Sequence, residues 1–426
     1  MNSAFLRPAD IRRTVLAAAA CSTLALTACS GATGNARVEP VEASGDGTLR
    51  VGLILDSTGD NAFLNAPQLA AAKLAVQEIN AAGGHKGKPV ELLPTESGQD
   101  AAGQARALVA AKADVVIGPT DSSHAAAAID ILSRARTPLI SPANTAAGLS
   151  TANSGGYYFR TAAADVAQGP VLVKLARDAG ANTLAVMYQE GSYGKDVSAA
   201  VAASAGQAGL EVAATAGFKP GEAGAAAAAV DKANADAVIV IARDGAQGAL
   251  AELGNAGVDG KRIILSDGAF ARYGSRLPAK SLDGGRAVVA GQLPEADFQA
   301  RLLTVDPGLK DVSFAAEAYD AVTVAALAAA RAQDDAGRSI AANLIAASGG
   351  TVEGSTGKPA AEACLTYKDC RAGLMSGPDI DYDGESGPVA FDSNGDITTA
   401  IFTVYTYGAD NNPAPSGRET AGRAAG

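Results

Sequence analysis

Residues 49–55, Leu-Arg-Val-Gly-Leu-Ile-Leu, form a nearly continuous apolar run near the start of the chain. Such a run is typical of a strand that is buried on both faces of a parallel sheet. The next apolar residues recur at helical spacing, at Leu69, Ala72, Val76 and Ile79. Gly83-Gly84 then provides a helix stop signal. This stretch therefore predicts a buried strand followed by a helix.

The same alternation continues along the chain, with alanine-rich helical stretches between short apolar runs. The further predicted strands are 90–93, 115–117, 139–141, 184–188, 237–241 and 263–266. Alternating strands and helices predict an α/β fold with parallel sheets and right-handed crossovers. Because 426 residues exceed the size of one typical hydrophobic core, two domains are expected.

The N-terminus has the sequence pattern of an export signal. Three arginines within residues 7–13 precede an apolar stretch over 14–28, which has 15 residues against the roughly 20 that span a bilayer. Leu26-Thr27-Ala28-Cys29 ends this stretch and has the form of a lipoprotein cleavage site. We therefore predict a signal peptide over 1–28 and a lipid on Cys29 that anchors the chain outside the cytoplasm. An ordinary cleaved signal is the alternative, and Arg12-Arg13 leaves twin-arginine export open.

The net charge of −11 disfavours nucleic acid as a partner, since phosphates require basic patches. Hydrophobic residues make up 48% of the chain and tryptophan is absent, so the core is expected to be aliphatic. Beyond the signal, no apolar stretch has the length of a membrane span.

The chain has four cysteines. The predicted cleavage would remove Cys21, and Cys29 would carry the lipid, so that Cys364 and Cys370 would remain. In an exported protein this pair favours a disulfide. Zinc binding is the rival interpretation, but it needs further ligands, and His85 and His124 are distant in sequence.

Two terminal segments lack periodicity. Residues 29–47 are rich in Gly, Ala, Ser and Glu, and they are predicted to form a flexible tether. Residues 410–426 are rich in Pro, Gly and Ala, and they are predicted to form a disordered tail.

Small polar residues follow several predicted strands, where ligands bind in parallel sheets. Ser122-Ser123 follows the third strand, and Asn144-Thr145 follows the fourth. Hydroxyls beside helix N-termini suit an anion such as a carboxylate. The alternative is that they only cap their own helices.

The motifs at these strand ends resemble those of the leucine/isoleucine/valine-binding proteins of ABC importers. The segments that carry the resemblance, from about residue 48 to 407, are Ser57-Thr58-Gly59, Val116-Ile117-Gly118-Pro119, Ser122-Ser123, Ser141-Pro142-Ala143-Asn144-Thr145, Tyr158-Phe159-Arg160-Thr161, Gly191-Ser192-Tyr193-Gly194 and Tyr382-Asp383-Gly384. Each motif is weak alone, but their order and spacing are specific.

The resemblance implies two Rossmann-like lobes joined by three crossovers, with a ligand cleft between them. The first lobe would comprise 48–164 and 293–386, and the second 165–292 and 387–409. It also implies a monomer without a cofactor, which delivers its ligand to an ABC permease.

The resemblance also implies the ligand contacts. Hydroxyls and main-chain N–H groups of the first lobe would bind an amino acid's carboxylate, and Ser122, Ser123, Asn144 and Thr145 occupy those positions. Asp267 occupies the position of the acidic residue that binds the ammonium. Tyr193 matches a tyrosine of the cleft.

Two positions depart from the family pattern. Leu64 stands where the family has an aromatic residue, and Arg243 stands where it has a tyrosine. A guanidinium in the cleft would pair with Asp244 or Asp267, or bind an anionic group of the ligand. The ligand is therefore expected to be a branched-chain or related amino acid, with amides, short peptides and organic acids as alternatives.

Other chemistry finds little support in the sequence. Asp379, Asp381 and Asp383 resemble the start of a calcium-binding loop, but Ala390 stands where the loop needs a glutamate, so we interpret the segment as a turn. Ser122 lies close to His124, but adjacency is not a catalytic triad. An exported hydrolase is the rival from the enzyme class, and a ligand sensor of the same fold is a third interpretation.

Overall fold

Two large β-sheets, each covered by helices on both faces, and one small three-stranded sheet organise the chain in the computed structural model, which describes residues 35–39, 41–56, 62–95, 98–351, 362–377 and 379–422. The strands are β1 Arg50–Leu53, β2 Glu91–Leu92, β3 Val115–Ile117, β4 Leu139–Ser141, β5 Tyr158–Arg160, β6 Thr183–Gln189, β7 Glu211–Phe218, β8 Ala237–Ile241, β9 Ile263–Leu265, β10 Arg286–Ala290, β11 Ala363–Cys364, β12 Asp381–Gly384, β13 Gly387–Pro388, β14 Thr399–Tyr407 and β15 Pro413–Gly422.

The α-helices within these residues alternate with the strands. They are α1 Asn65–Ala81, α2 Ala101–Ala110, α3 Ser122–Arg134, α4 Gln168–Asp178, α5 Ser192–Ala208, α6 Gly224–Ala233, α7 Ala246–Ala256, α8 Ala296–Val305, α9 Ala315–Ala332, α10 Gly337–Ala347 and α11 Tyr367–Ser376. Helix α1 covers the predicted apolar stripe, and it stops before two glycines with positive φ, Gly83 and Gly84.

The first sheet has the strand order β2-β1-β3-β4-β5, and all its neighbours are parallel. Helices α1, α9 and α10 pack on one face, and α2 and α3 pack on the other. The carboxyl ends of parallel strands meet at one edge of a sheet, so the loops after β3 and β4 lie side by side.

The second sheet has the order β15-β14-β10-β9-β8-β6-β7. Strands β6 to β10 are parallel, while β14 and β15 add an antiparallel edge. Helices α6 and α7 cover one face, and α4 and α5 cover the other.

The chain passes between the two sheets three times, after β5, after β10 and before β14. The predicted α/β class with two Rossmann-like lobes is therefore confirmed. The predicted strands at 115–117, 139–141 and 237–241 agree with the observed bounds of β3, β4 and β8.

The third passage lies later than the sequence suggested. Val389 and Phe391 are buried in the core of the first lobe, although the predicted boundary assigned residues from 387 onward to the second. Phe391 packs against Phe159 with ring centroids 5.3 Å apart. The chain therefore changes lobe near Ile397, which contacts the cores of both lobes.

The prediction of a disordered tail over 410–426 is wrong for the residues that form β15. This strand pairs with β14 from Thr399↔Gly422 to Tyr407↔Pro413. Proline has no N–H to donate to a neighbouring strand, so within sheets it is found mainly on edge strands. Pro413 and Pro415 are therefore compatible with β15, which is an edge strand. The composition that suggested disorder is thus that of an edge strand.

The prediction of a flexible tether over 29–47 is likewise wrong for its described part. The buried Arg37 donates hydrogen bonds to the carbonyls of Tyr158 and Asn394, and its guanidinium lies 4.8 Å from the centroid of the Phe159 ring. The N–H groups of Ser44 and Gly45 donate to Asp334. We call residues 35–39 and 41–47 the N-terminal strap.

Within the described ranges, none of the helices combines the length and the apolar character needed to cross a bilayer.

Candidate functional site

Ser122 links the loops that follow β3 and β4. It is the first residue of α3, and its Oγ accepts hydrogen bonds from the N–H groups of Thr145 (3.2 Å) and Ala146 (3.3 Å). The hydroxyl and these N–H groups, all at the carboxyl edge of the first sheet, form a polar surface that suits a carboxylate.

Asn144 stabilises the loops that form this polar surface. Its side chain is fully buried, and its amide donates to the carbonyls of Pro119 and Thr120, both at 3.0 Å. Its main-chain N–H donates to Ser141 Oγ at 2.9 Å. A ligand would have to replace that last bond to use the N–H of Asn144, so the contacts seen here are structural.

Arg160 fixes the same loop through a buried network. It donates to the carbonyls of Asn144 (3.2 Å) and Ala146 (2.9 Å), and it forms an ion pair of 2.7 Å with Asp396. Its guanidinium therefore connects the loop after β4 to the segment that precedes the third passage.

Ser123 fits the alternative in which these hydroxyls only cap their own helices. Its N–H and its hydroxyl both donate to Oδ1 of Asp121, the residue that caps α3. Ser123 is exposed, and these bonds belong to the helix terminus.

His124 contacts Asp56, at the end of the first predicted strand, rather than Ser122. The distance between Nδ1 of His124 and Oδ1 of Asp56 is 2.9 Å, and this hydrogen bond raises the pKa of the imidazole. Asp56 Oδ2 also accepts the N–H of Asp121 at 2.9 Å. In the described residues no hydrogen bond joins Ser122 to His124, as a serine hydrolase would require.

Asp267 forms the opposite half of the site, directly after β9. Its Oδ1 accepts hydrogen bonds from Tyr193 Oη (2.5 Å), Gln168 Nε2 (2.8 Å) and the N–H of Gly268 (2.6 Å). Burial, together with the charge of Asp267, raises the pKa of Tyr193. The phenol therefore remains a donor and holds the carboxylate in place.

Gly268 allows this arrangement. A Cβ atom at this position would lie 2.6 Å from the carbonyl oxygen of Ala242 and 3.0 Å from Tyr193 Oη. The Asp267-Gly268 pair thus lets the carboxylate lie against the ends of β8 and α5.

Arg243 follows β8 and points across the site. Its Nη2 lies 3.1 Å from Asp165 Oδ2 and 3.5 Å from Thr145 Oγ1, and its guanidinium stacks 4.3 Å above the Tyr193 ring. The side chain is 51% exposed. Arg243 therefore connects the two predicted halves of the site.

Asp165 pairs with Arg243 in place of the predicted partners Asp244 and Asp267, and the sequence did not predict it as a site residue. It lies in a short turn at the first passage between the lobes, and its N–H donates to the carbonyl of Thr145 at 2.7 Å. Burial raises its pKa to about 6, and the charge of Asp267 acts in the same direction. A lone acid in the small apolar stretch 162–167 was the signal available in the sequence.

Leu64 is buried at the start of α1, whereas its neighbour Phe63 is 60% exposed. The predicted role of Leu64 as the substitute for an aromatic ligand contact stays a prediction.

Cys364 and Cys370 form the predicted disulfide, with their Cα atoms 5.2 Å apart. Among the residues that the structure describes, no group of three or more His, Cys, Asp or Glu side chains is arranged to hold a metal ion. Asp381 and Asp383 lie on β12, so the segment interpreted as a turn includes a strand.

The signal peptide and Cys29 lie outside the described residues, as does the Ser57-Thr58-Gly59 motif.

Comparisons with known proteins agree with the two-lobed α/β fold. A family model described as periplasmic binding protein matches residues 48–364. A search of characterised proteins gives no significant match.

Three similar solved structures show the range of ligands found with this fold. The branched-chain amino acid transporter substrate binding protein LivJ from Streptococcus pneumoniae, in complex with isoleucine, is 22% identical with a TM-score of 0.61, over 88% of this chain and 100% of that one. A putative branched-chain amino acid ABC transporter from Rhodospirillum rubrum is 21% identical with a TM-score of 0.65, over 87% and 100%. An ABC transporter solute binding protein from R. palustris, in complex with benzoate, is 19% identical with a TM-score of 0.59, over 89% and 98%.

Proposed function

The chain belongs to the periplasmic binding protein family, and from that premise we propose that it is the extracytoplasmic solute-binding lipoprotein of an ABC importer. It binds a branched-chain or related amino acid in the cleft between its lobes and delivers it to a membrane permease. This is a binding function without catalysis.

The observation that carries the ligand class is the position of Asp267. Three donors converge on its Oδ1, so the carboxylate is held in a fixed orientation beside Tyr193. A fixed carboxylate that enters a closing cleft needs a cation, since an unpaired buried charge is costly. The ammonium of an amino acid supplies that cation.

The charges in the site favour a zwitterion over a simple anion. Arg243 and Asp165 offset each other at 3.1 Å, so Asp267 carries the remaining charge of these three groups. The hydroxyl of Ser122, whose oxygen accepts the N–H of Thr145, can donate its proton to the ligand's carboxylate. A benzoate-like ligand would leave Asp267 without a counter-ion, which disfavours it.

An organic acid is the second candidate, because Arg243 is half exposed and replaces a tyrosine of the family pattern. Its guanidinium would bind such a ligand if it left Asp165. A sensor of the same fold that binds an amide or organic acid shares this second candidate.

A thermal-shift screen separates the two ligand classes, because a ligand that binds the native state raises its stability by mass action. The probes are L-leucine, L-leucinamide, isovalerate and benzoate. Stabilisation by leucine alone supports the zwitterion, while stabilisation by isovalerate or benzoate alone supports the organic acid. The Arg243→Tyr variant should change the order of ligands, and an unchanged order would refute its role in ligand choice.

The lipid anchor is tested separately. The mature wild type should carry a diacylglyceryl group on Cys29, visible by mass spectrometry, and should sediment with membranes. Cys29→Ser should release it into the soluble fraction. An equal membrane fraction for the two proteins would refute the anchor.

A further inference from the structure

A cavity of about 150 Å³ lies where the two lobes join. One wall comes from β10 and β14 of the second lobe, and the other from the residues that lead into α9 of the first. Its lining includes Val289, Leu293, Val312, Phe314, Glu317 and Tyr405. The wall is therefore largely apolar, and it is shared by both lobes.

Glu317 places a carboxyl group in this wall. The residue is 8% exposed, although it lies in the first turn of a long helix. No other described residue donates a hydrogen bond to its carboxyl group, which contrasts with Asp320 one turn later. Asp320 accepts hydrogen bonds from Tyr382 and from Glu385 and Ser386.

A smaller hollow continues past Glu317 toward the other passages between the lobes. It is lined by residues of all three, including Thr161, Gly291 and Ile397. Thr161 Oγ1 donates to the main-chain carbonyl of Glu317 at 2.8 Å. A Cβ atom at Gly291 would lie 2.9 Å from Oε1 of Glu317, so the absence of a side chain there leaves room for the carboxyl group.

Phe314, in the same wall, has a left-handed backbone with φ of 56°. This conformation is unfavourable for a bulky residue and is often retained where a ligand or a moving segment requires it. Three features therefore occur at one place. They are an apolar hollow, a buried carboxyl group that receives no hydrogen bond from another described residue, and an aromatic residue with a strained backbone.

We propose that this cavity binds a small apolar amine, whose ammonium pairs with Glu317 and whose hydrocarbon part lies between Val289, Val312 and Phe314. The amine supplies the hydrogen-bond donors and the positive charge that the carboxyl group lacks. A cavity of this volume accommodates a hydrocarbon of four to six carbons, by comparison with an engineered apolar cavity of about 150 Å³ that binds benzene. The site is separate from the cleft of Asp267.

The charged groups around Glu317 are few, which makes the pairing testable by pH. Burial raises the pKa of Glu317 to about 7, and the charge of Asp320 adds to this effect. Tyr405, the other titratable residue among those lining the cavity, is neutral in this range because burial raises its pKa as well. An alkylammonium stays protonated to about pH 10. Amine binding should therefore strengthen from pH 6 to pH 8.

The experiment uses the mature protein and titrates isobutylamine, followed by ligand-detected NMR at pH 8. Isobutanol, which has nearly the same shape and no charge, is the matched probe. We expect the amine to bind the wild type and to bind Glu317→Gln at least about tenfold more weakly, since the ion pair is lost. The affinity for isobutanol should be the same for both proteins.

Two further variants locate the site. Asp267→Asn removes the carboxylate of the cleft and should leave amine binding unchanged. Val312→Phe fills the cavity without a change of charge and should weaken amine and alcohol alike. Equal amine affinity for wild type and Glu317→Gln would overturn the proposal, and so would loss of amine binding in Asp267→Asn, which would assign the amine to the cleft.

Discussion

The guanidinium of Arg243 lies 3.1 Å from the carboxylate of Asp165. Arg243 follows strand β8 of the second sheet. Asp165 lies in the short turn where the chain first passes between the lobes. Since Asp165 is buried and Arg243 is half exposed, the pair neutralises a charge inside the site while one partner stays able to move. We therefore expect substitutions at this pair to affect both stability and ligand choice.

Arg243→Gln should destabilise the protein at pH 8, because it leaves Asp165 buried without its cation. We expect a loss of about 1 kcal/mol, since solvent already screens the exposed side of the pair. Asp165→Asn in the same background should restore the lost stability. Thermal unfolding of the two single variants and the double variant measures the coupling, and strictly additive effects would argue against the pair.

Glu317→Gln should raise stability in a pH-dependent way. The pKa of Glu317 is raised from 4.5 to about 7 by burial, so the folded state holds this proton after the unfolded state has lost it. The favourable contribution is complete below pH 4.5 and disappears as the pH rises through 7. The variant should therefore match the wild type at pH 4 and exceed its unfolding free energy by about 2–3 kcal/mol at pH 8. A constant difference between the two proteins across this range would contradict the assignment.

Removal of the disulfide in Cys364→Ser/Cys370→Ser should lower the unfolding free energy by about 2 kcal/mol. The expected loss is modest because the disulfide closes a short loop. Chemical denaturation with and without reductant measures the change. Reductant should destabilise the wild type toward the variant and leave the variant unaffected. If the variant is as stable as the oxidised wild type, the bond contributes nothing to the fold.

Arg37→Met should destabilise the first lobe by about 1–2 kcal/mol, because it removes the two hydrogen bonds that hold the N-terminal strap. Burial lowers the pKa of Arg37 to about 10, which shows how far the guanidinium is removed from water. Arg134→Met, whose side chain is 78% exposed, is the control and should have little effect. Equal melting temperatures for the two variants would mean that the strap is not anchored by Arg37.

The apolar runs predicted the central strands because a strand buried on both faces needs little more than continuous hydrophobicity. Strands β3, β4 and β8 have the bounds that the sequence suggested. The edge strand β15 was missed, since one of its sides faces solvent and its prolines and glycines resemble a loop. The composition of β15 reflects only the conformational preference of that segment by itself. The segment becomes a strand because β14, from elsewhere in the chain, supplies its hydrogen-bonding partner.

The site likewise contains residues that local sequence patterns predict and residues that depend on contacts with distant parts of the chain. Ser122, Tyr193 and Asp267 follow strands or begin helices, so the topology alone brings them to the cleft. Asp165 lies in a passage between the lobes, and its importance arises from a long-range contact with Arg243 that no local pattern encodes. Asn144 shows the opposite case, because its side-chain amide donates to the neighbouring loop after β3 and its N–H to Ser141, so that its hydrogen bonds hold the two loops together.

The central claim is that Asp267 binds the ammonium of an amino acid. Calorimetric titration of the mature protein with L-leucine tests it, with Asp267→Asn as the variant and the exposed Asp231→Asn as the matched control. We expect micromolar or tighter affinity for the wild type and for Asp231→Asn, roughly −8 kcal/mol or below, and a loss of about 100-fold in Asp267→Asn. Unchanged leucine affinity in Asp267→Asn would contradict it.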